Sequence, residues 1–271
     1  MRKSYFWLFF ITLIWGTTFP VQKLIISDIS PTFYISFRFF IAFVVAYLVW
    51  GMGNIKYGSI LGIILGLSYT TQTVGLKFTT ASKNGFLTSL YVVLVPLVSW
   101  LIEKERLTRY QIIGFFLAFV GSYLLSGGVH GFNFGDFLSF LCAVGFSFHV
   151  VLISVFSRKV KETDLLTTQF LITSVVNLML SFNSSWNMNI PSIAVAFYTA
   201  LSATVLGIYV QVKHQKVVGS NTTALIFAGE PVFAALFSYI IIGEVLSPVQ
   251  VLGGGMLVGS LVLAGIKEGK A

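Results

Sequence analysis

The stretch LIFAGEPVFAALF, Leu225 to Phe237, holds one carboxylate, Glu230, directly before a proline, Pro231, in a run of otherwise apolar or small residues. Pro231 has no N–H, so the carbonyl of Phe227, four residues earlier, loses its helical donor. A carboxyl group beside an under-bonded carbonyl is equipped to take a proton, a cation or a polar solute. The complementary charge is Arg38, about six residues inside the apolar run that opens near Pro31. It suits an anionic group on a substrate, or a polar cluster in the first apolar run.

Neutral candidates accompany these two charges. Trp15, Thr18 and Gln22 share one face of the first apolar run, where Pro20 frees the carbonyl of Gly16. Asn84, Thr88 and Tyr91 fall at helical spacing, as do Thr223, Phe227 and Glu230, and Gln72 and Gln211 complete the set. Pro20, Pro96 and Pro231 are read as helix breaks. For each neutral residue the competing role is an interhelical hydrogen bond, and for Glu230 a bond or ion pair that holds two helices together. His149, set among Phe146, Phe148 and Val150, reads as a packed residue with one hydrogen bond rather than a proton relay. A single cysteine, Cys142, excludes an intramolecular disulfide, and His130, His149 and His214 are too scattered to suggest a metal site. No cofactor is expected.

The elements that must carry these residues are set by composition. Of 271 residues 56% are hydrophobic and 10% charged, with a mean hydropathy of +0.90, against about 25% charged in soluble domains. Apolar runs recur along the whole chain, each long enough to cross a hydrocarbon core of about 30 Å. The first, with Arg2 and Lys3 ahead of it, has the outline of a signal peptide, but it continues past Pro20 without a small-residue cleavage site and is read as a retained span. The expected fold is an all-α membrane protein of ten transmembrane helices, near 5–26, 32–50, 58–77, 84–102, 109–126, 133–156, 165–182, 192–212, 221–242 and 247–266.

With the N-terminus in the cytoplasm, all but four of the 17 Lys and Arg fall on the cytoplasmic side, through to Lys267 and Lys270. That asymmetry predicts both termini in the cytoplasm, with the spans in the lipid bilayer of the cytoplasmic membrane, and accounts for most of the net charge of +8 without nucleic acid. The four exceptions are Lys23, Lys77 and Lys83, expected to snorkel to the outer headgroups, and Arg38.

A shift of 139 residues matches Gln72 with Gln211, Lys77 with Lys216, Glu105 with Glu244, Leu107 with Leu246, Gln111 with Gln250 and Gly114 with Gly253. The halves, 1–126 and 133–267, would each hold five spans, and an odd number inverts the second relative to the first, an arrangement of transporters with a site between the repeats. The inverted mate of Glu230 is then Tyr91. The position matching Pro231 is Val92, with Pro96 one turn later, so the halves are expected to kink at different depths. The pairs Gly62/Gly66 and Gly255/Gly259 read as close-packing faces.

The segments LIWGTTFPVQK, SPTFYISFRFFIAF, GDFLSFLCAVGF and the Gly243 to Gly253 ending GE-L-S-x-x-Q-x-x-G, in this order and spacing, resemble the EamA family of the drug/metabolite transporter superfamily. The resemblance implies a multi-pass carrier, not an enzyme, that exports amino acids or other small metabolites from a site between its halves. It leaves the substrate open, along with monomer or homodimer. Uptake on the same scaffold is one alternative. An intramembrane enzyme or lipid-handling protein is another, and it would need a convergent catalytic set that the sequence does not show. No Walker-type loop is present to couple transport to nucleotide hydrolysis.

Overall fold

The computed structural model describes residues 1–126 and 131–264; His130, Lys267, Lys270 and the end of the last expected span lie outside the described residues. The described residues form helices and connecting turns, with no strand among them. In chain order these are α1 (Arg2–Lys23), α2 (Pro31–Trp50), α3 (Ile55–Phe78), α4 (Ala81–Ser89), α5 (Tyr91–Ile102), α6 (Arg109–Leu125), α7 (Phe134–Ser157), α8 (Leu166–Leu180), α9 (Ile190–Tyr198), a π-helical segment Thr199–Leu206, α10 (Gly207–Val218), α11 (Ser220–Phe227), α12 (Glu230–Ile242) and α13 (Pro248–Ala264).

Eight continuous or broken helices are long and apolar enough to cross a membrane, with α4–α5, α9–α10 and α11–α12 each making one. α6 is apolar but only 17 residues, about 26 Å at 1.5 Å per residue and slightly less than a hydrocarbon core, and α13 is apolar over its described residues.

Side-chain caps fix where many of the helices begin. Asn54, Thr80 and Asn189 accept N–H groups in the first turns of α3, α4 and α9. Reciprocal capping boxes start α6 (Thr108 with Gln111) and α13 (Ser247 with Gln250). The two boxes are 139 residues apart, so the matched glutamines of the repeat register are capping residues.

The same register governs the broken helices. Leu90 N donates to Leu87 O (3.3 Å) and Val93 N to Leu90 O (3.0 Å); Gly229 N donates to Ile226 O (3.2 Å) and Val232 N to Gly229 O (3.1 Å). Both breaks are therefore tightened turns at matched depth. This corrects two of the three expected breaks and the expectation of unequal kinks. α1 runs on through Pro20 and α5 through Pro96, because a proline removes one donor but does not by itself end a helix whose neighbours keep their bonds. Only Pro231, at the start of α12, adjoins a break.

Close helix contacts follow the small residues. A Cβ added at Gly62 would lie 2.7 Å from Ile172 Cβ, and one at Gly121 would lie 2.8 Å from Gly253 O, so α3 meets α8 and α6 meets α13 at backbone range. Gly255 and Gly259 have nothing within 4 Å of such an atom; contrary to expectation, the tight seam of α13 is at Gly253, on another face of the helix. α2 and α8 are joined by a reciprocal pair, Ser36 Oγ to Ser174 O (3.0 Å) and Ser174 Oγ to Ser36 O (2.9 Å).

Lys23 and Lys83 do not snorkel freely. Lys23 Nζ donates to Leu76 O (2.8 Å) and Thr79 O (2.5 Å), which are left over at the end of α3. Lys83 Nζ lies 2.6 Å from Asp136 Oδ2, whose carboxylate also accepts from Thr79 Oγ1 (2.8 Å) and Asn133 N (2.9 Å).

Candidate functional site

One cavity lies where α1, α2, α3, α5, α7, α10, α11 and α12 converge. Of the residues singled out from the sequence, its walls include Trp15, Thr18, Arg38, Gln72, Tyr91, Gln211 and Glu230. The space left between them is about 50 Å³, enough for a few water molecules. Its two charged-type residues are buried, Glu230 8% exposed and Arg38 1%.

The α11–α12 break sets Glu230 at the first position of α12, on the wall of the cavity. Tyr91, its mate in the 139-residue register, begins α5 after the equivalent break, and Tyr91 Oη donates to Glu230 Oε2 at 3.3 Å. The matched residues thus meet on the wall of the cavity. Of the accompanying stripes only Phe227 also lines it; Asn84 bonds Gln72 O (3.1 Å) and Ser139 Oγ (2.7 Å) instead. Gln22 is buried beside the site and donates to Thr18 O (2.9 Å).

Arg38 Nε donates to Thr204 Oγ1 (2.8 Å), and its guanidinium carbon lies 4.8 Å from the centroid of the Tyr69 ring. The contact with Thr204, in the π-helical segment, replaces the expected meeting with a polar cluster of α1. The ion pairs among the described residues are Lys83–Asp136, Arg158–Glu103 and Lys216–Glu162. Arg38 and Glu230 line one small space without pairing with each other.

The π-helical segment also receives α1: Trp15 Nε1 donates to Ala203 O at 2.9 Å, and its ring meets Phe227 edge to face with centroids 4.9 Å apart. Gly207 admits the indole, since a Cβ there would lie 2.6 Å from Trp15 Nε1. Sequence reasoning missed Leu65, Tyr69 and Ile208 among the lining residues. Tyr69 had a signal, one turn from Gln72 on the same face. His149 lines the cavity as well, with one hydrogen bond, Nε2 to Gln169 Oε1 at 3.1 Å. No cluster of His, Cys, Asp and Glu able to hold a metal occurs among the described residues.

The sequence model of the EamA-like transporter family matches the chain twice, over residues 2–127 and 133–266. The chain belongs to the EamA-like transporter family. An uncharacterized transporter of Archaeoglobus fulgidus is 37% identical over 262 residues, 95% of this chain and 84% of that protein. The uncharacterized transporter YyaM of Bacillus subtilis is 23% identical over 275 residues, 93% of this chain and 90% of the relative. A solved crystal structure shares the fold, with a TM-score of 0.78 over 98% of this chain and 97% of that one, at 20% identity. This EamA-like protein is therefore a multi-pass membrane protein of a transporter family.

Proposed function

We propose that the protein is a secondary transporter that exports a small organic metabolite carrying an anionic group, an amino acid or a related compound, across the cytoplasmic membrane. The observation that carries this reading is that one buried cavity is lined by both an arginine and a glutamate, Arg38 and Glu230, with no ion pair between them. A charge at the centre of a bilayer costs about 2.5 to 3.5 kcal/mol on insertion scales, a cost consistent with groups kept for a solute. Arg38 would take the anionic group, Glu230 and Tyr91 a cationic or hydrogen-bonding group, and Trp15, Thr18, Gln72 and Gln211 would frame it.

Alternating access would follow from ten spans in two inverted repeats, 1–126 and 133–267, with both termini cytoplasmic. The double family match, the matched capping boxes and the matched helix breaks support that layout. Packing supports it too: α1 lies on α12 as α7 lies on α4 and α5, and α2 meets α8 as α6 meets α13.

Glu230, alternating between proton and substrate, would couple export to a pH gradient. The test is transport in membrane vesicles of defined orientation, with a panel of amino acids and other small metabolites and an imposed pH gradient. Glu230→Gln should abolish gradient-driven transport and leave slow exchange. Equal gradient-driven rates in Glu230→Gln and wild type, at matched expression, would refute the coupling role. Net movement only into the cytoplasm would favour the uptake alternative.

A further inference from the structure

Gln211 stands at one end of the cavity, and from it a file of polar groups runs to the surface of the protein. Gln211 Nε2 donates to Gln215 Oε1 (3.0 Å), one turn along α10. Gln215 Nε2 donates to Ser154 Oγ on α7 (2.8 Å), whose hydroxyl is 2.8 Å from that of Ser220 on α11. Ser220 donates to Glu103 Oε2 (2.7 Å) at the end of α5, and Glu103 Oε1 holds the exposed Arg158 at 3.0 Å. Gln215, Ser154 and Ser220 are all 0% exposed.

Hydrogen bonds between membrane helices are common glue, so the file alone proves no route. The opposite end of the cavity supplies the contrast. One turn beyond Gln72, in the place that matches Gln215, stands Leu76, and Ala81 stands in the place that matches Ser220. Both are buried in an apolar cluster with Phe19 and Ile26. At these two matched positions the chain is polar at one end and apolar at the other; the buried polar bonds of the Gln72 end, from Asn84 to Gln72 O and Ser139 Oγ, lie elsewhere on α4 and α7. If helix association were their only task, the apolar solution would serve both ends without the cost of burying hydrogen-bonding groups.

We propose that Gln215, Ser154 and Ser220 form a closed polar gate, the path by which solute and water reach the cavity from the face that carries Glu103, and that Leu76 is the apolar seal of the opposite face. This rests on the reading of the cavity as a solute site. Closure by hydrogen bonds between α7, α10 and α11 is reversible at low cost because water can replace each bond as the helices part. The apolar seal opens only with exposure of packed side chains.

A thiol reporter in the cavity tests the proposal without any substrate. Thr18→Cys is introduced with Cys142→Ser, and membrane-impermeant methanethiosulfonate is applied to either face of oriented vesicles. Gln215→Ala and, separately, Ser220→Ala should raise the labelling rate from the Glu103 face by about tenfold, the population shift expected from losing one net hydrogen bond, while labelling from the opposite face stays unchanged. Leu76→Ala should raise labelling only from the opposite face. Unchanged rates in both gate variants, or equal rises from both faces, would overturn the proposal; size-exclusion profiles identify any variant that fails to fold, and the two gate variants are independent. One-sided gating in the reporter variants together with no transport by the wild-type protein across the metabolite panel would refute the proposed function and leave the gate standing.

Discussion

Asp136 gives the sharpest structural test, because the sequence motif GDFLSF that opens α7 is explained by the bonds of one carboxylate. Its side chain is 0% exposed and accepts from Lys83 Nζ at 2.6 Å, Thr79 Oγ1 at 2.8 Å and Asn133 N at 2.9 Å, tying together the ends of α3, α4 and α7. Removal of one partner from a fully buried ion pair costs about 3 to 5 kcal/mol. Lys83 is 13% exposed and stands near a helix end, where its ammonium can turn to water, so a smaller loss applies. Asp136→Asn, which keeps the shape and can hold both neutral partners with its oxygen accepting from Asn133 N and its amide N–H donating to Thr79 Oγ1, should cost about 2 kcal/mol. Asp136→Ala should cost about 3 to 4 kcal/mol, since two further hydrogen bonds at roughly 1 kcal/mol each are weakened or lost. The assay is equilibrium unfolding in mixed detergent, run as a double-mutant cycle with Lys83→Met. A coupling energy of about 1 to 2 kcal/mol is expected, well above the roughly 0.5 kcal/mol scatter of independent sites. Additive losses would show that the pair contributes nothing beyond its separate helix contacts, and the tie between α4 and α7 would have to be sought elsewhere.

Gly121→Val should cost about 1 to 3 kcal/mol by overpacking, because its Cβ would lie 2.8 to 3.0 Å from Gly253 O, Leu257 N and Met256 Cβ; Gly255→Ala, with open space around it, should be neutral or gain up to about 1 kcal/mol of helix propensity, both read by the same unfolding assay. Arg38→Met should fold and insert but raise the KM for anionic solutes at least about tenfold, the loss of one charge-assisted bond; unchanged transport would remove Arg38 from the site. Burial pushes the Glu105 carboxyl above its ordinary value of 4.5, and the neighbouring charge of Glu103 adds to the rise, against the hydrogen bond from Ser99 and the charge of Arg158. The folded state then holds that proton more tightly than the unfolded chain, so the contribution is full below pH 4.5 and is lost as pH rises through the folded value. Wild type should therefore lose stability relative to Glu105→Gln as pH climbs through that window, and parallel stability curves would refute the assignment.

Much of the architecture was legible because membrane helices announce themselves by length and hydropathy, and because polar residues are rare enough in this chain for coincidences to carry weight. The match of Gln111 with Gln250 reflects two capping boxes, and that of Gln72 with Gln211 two walls of one cavity. Tyr91 was found through the register alone, as the mate of Glu230. The break at Leu90 was not legible, since its cause is a tightened turn without a proline, and Pro96 drew attention to the wrong place. Lys23 was misjudged because a snorkelling lysine and one that closes a helix end look alike until the tertiary neighbours are known.

The π-helical segment shows why the remainder needed coordinates. Gln72 lies 18 residues after the cap Asn54 of its helix, whereas Gln211 lies 22 after Asn189, so the second half has four residues more between equivalent points. A regular helix would absorb four residues by lengthening about 6 Å, displacing either the cap or the glutamine. The wider turns of Thr199–Leu206 take up part of that excess. The altered bonding, with Thr204 Oγ1 on Thr199 O at 3.1 Å, leaves Ala203 O to accept from Trp15. It also sets Thr204 against Arg38. Neither glycine nor proline falls within the segment to mark it, so the placement of the one deeply buried arginine depends on a length difference between the halves, which only the paired landmarks expose.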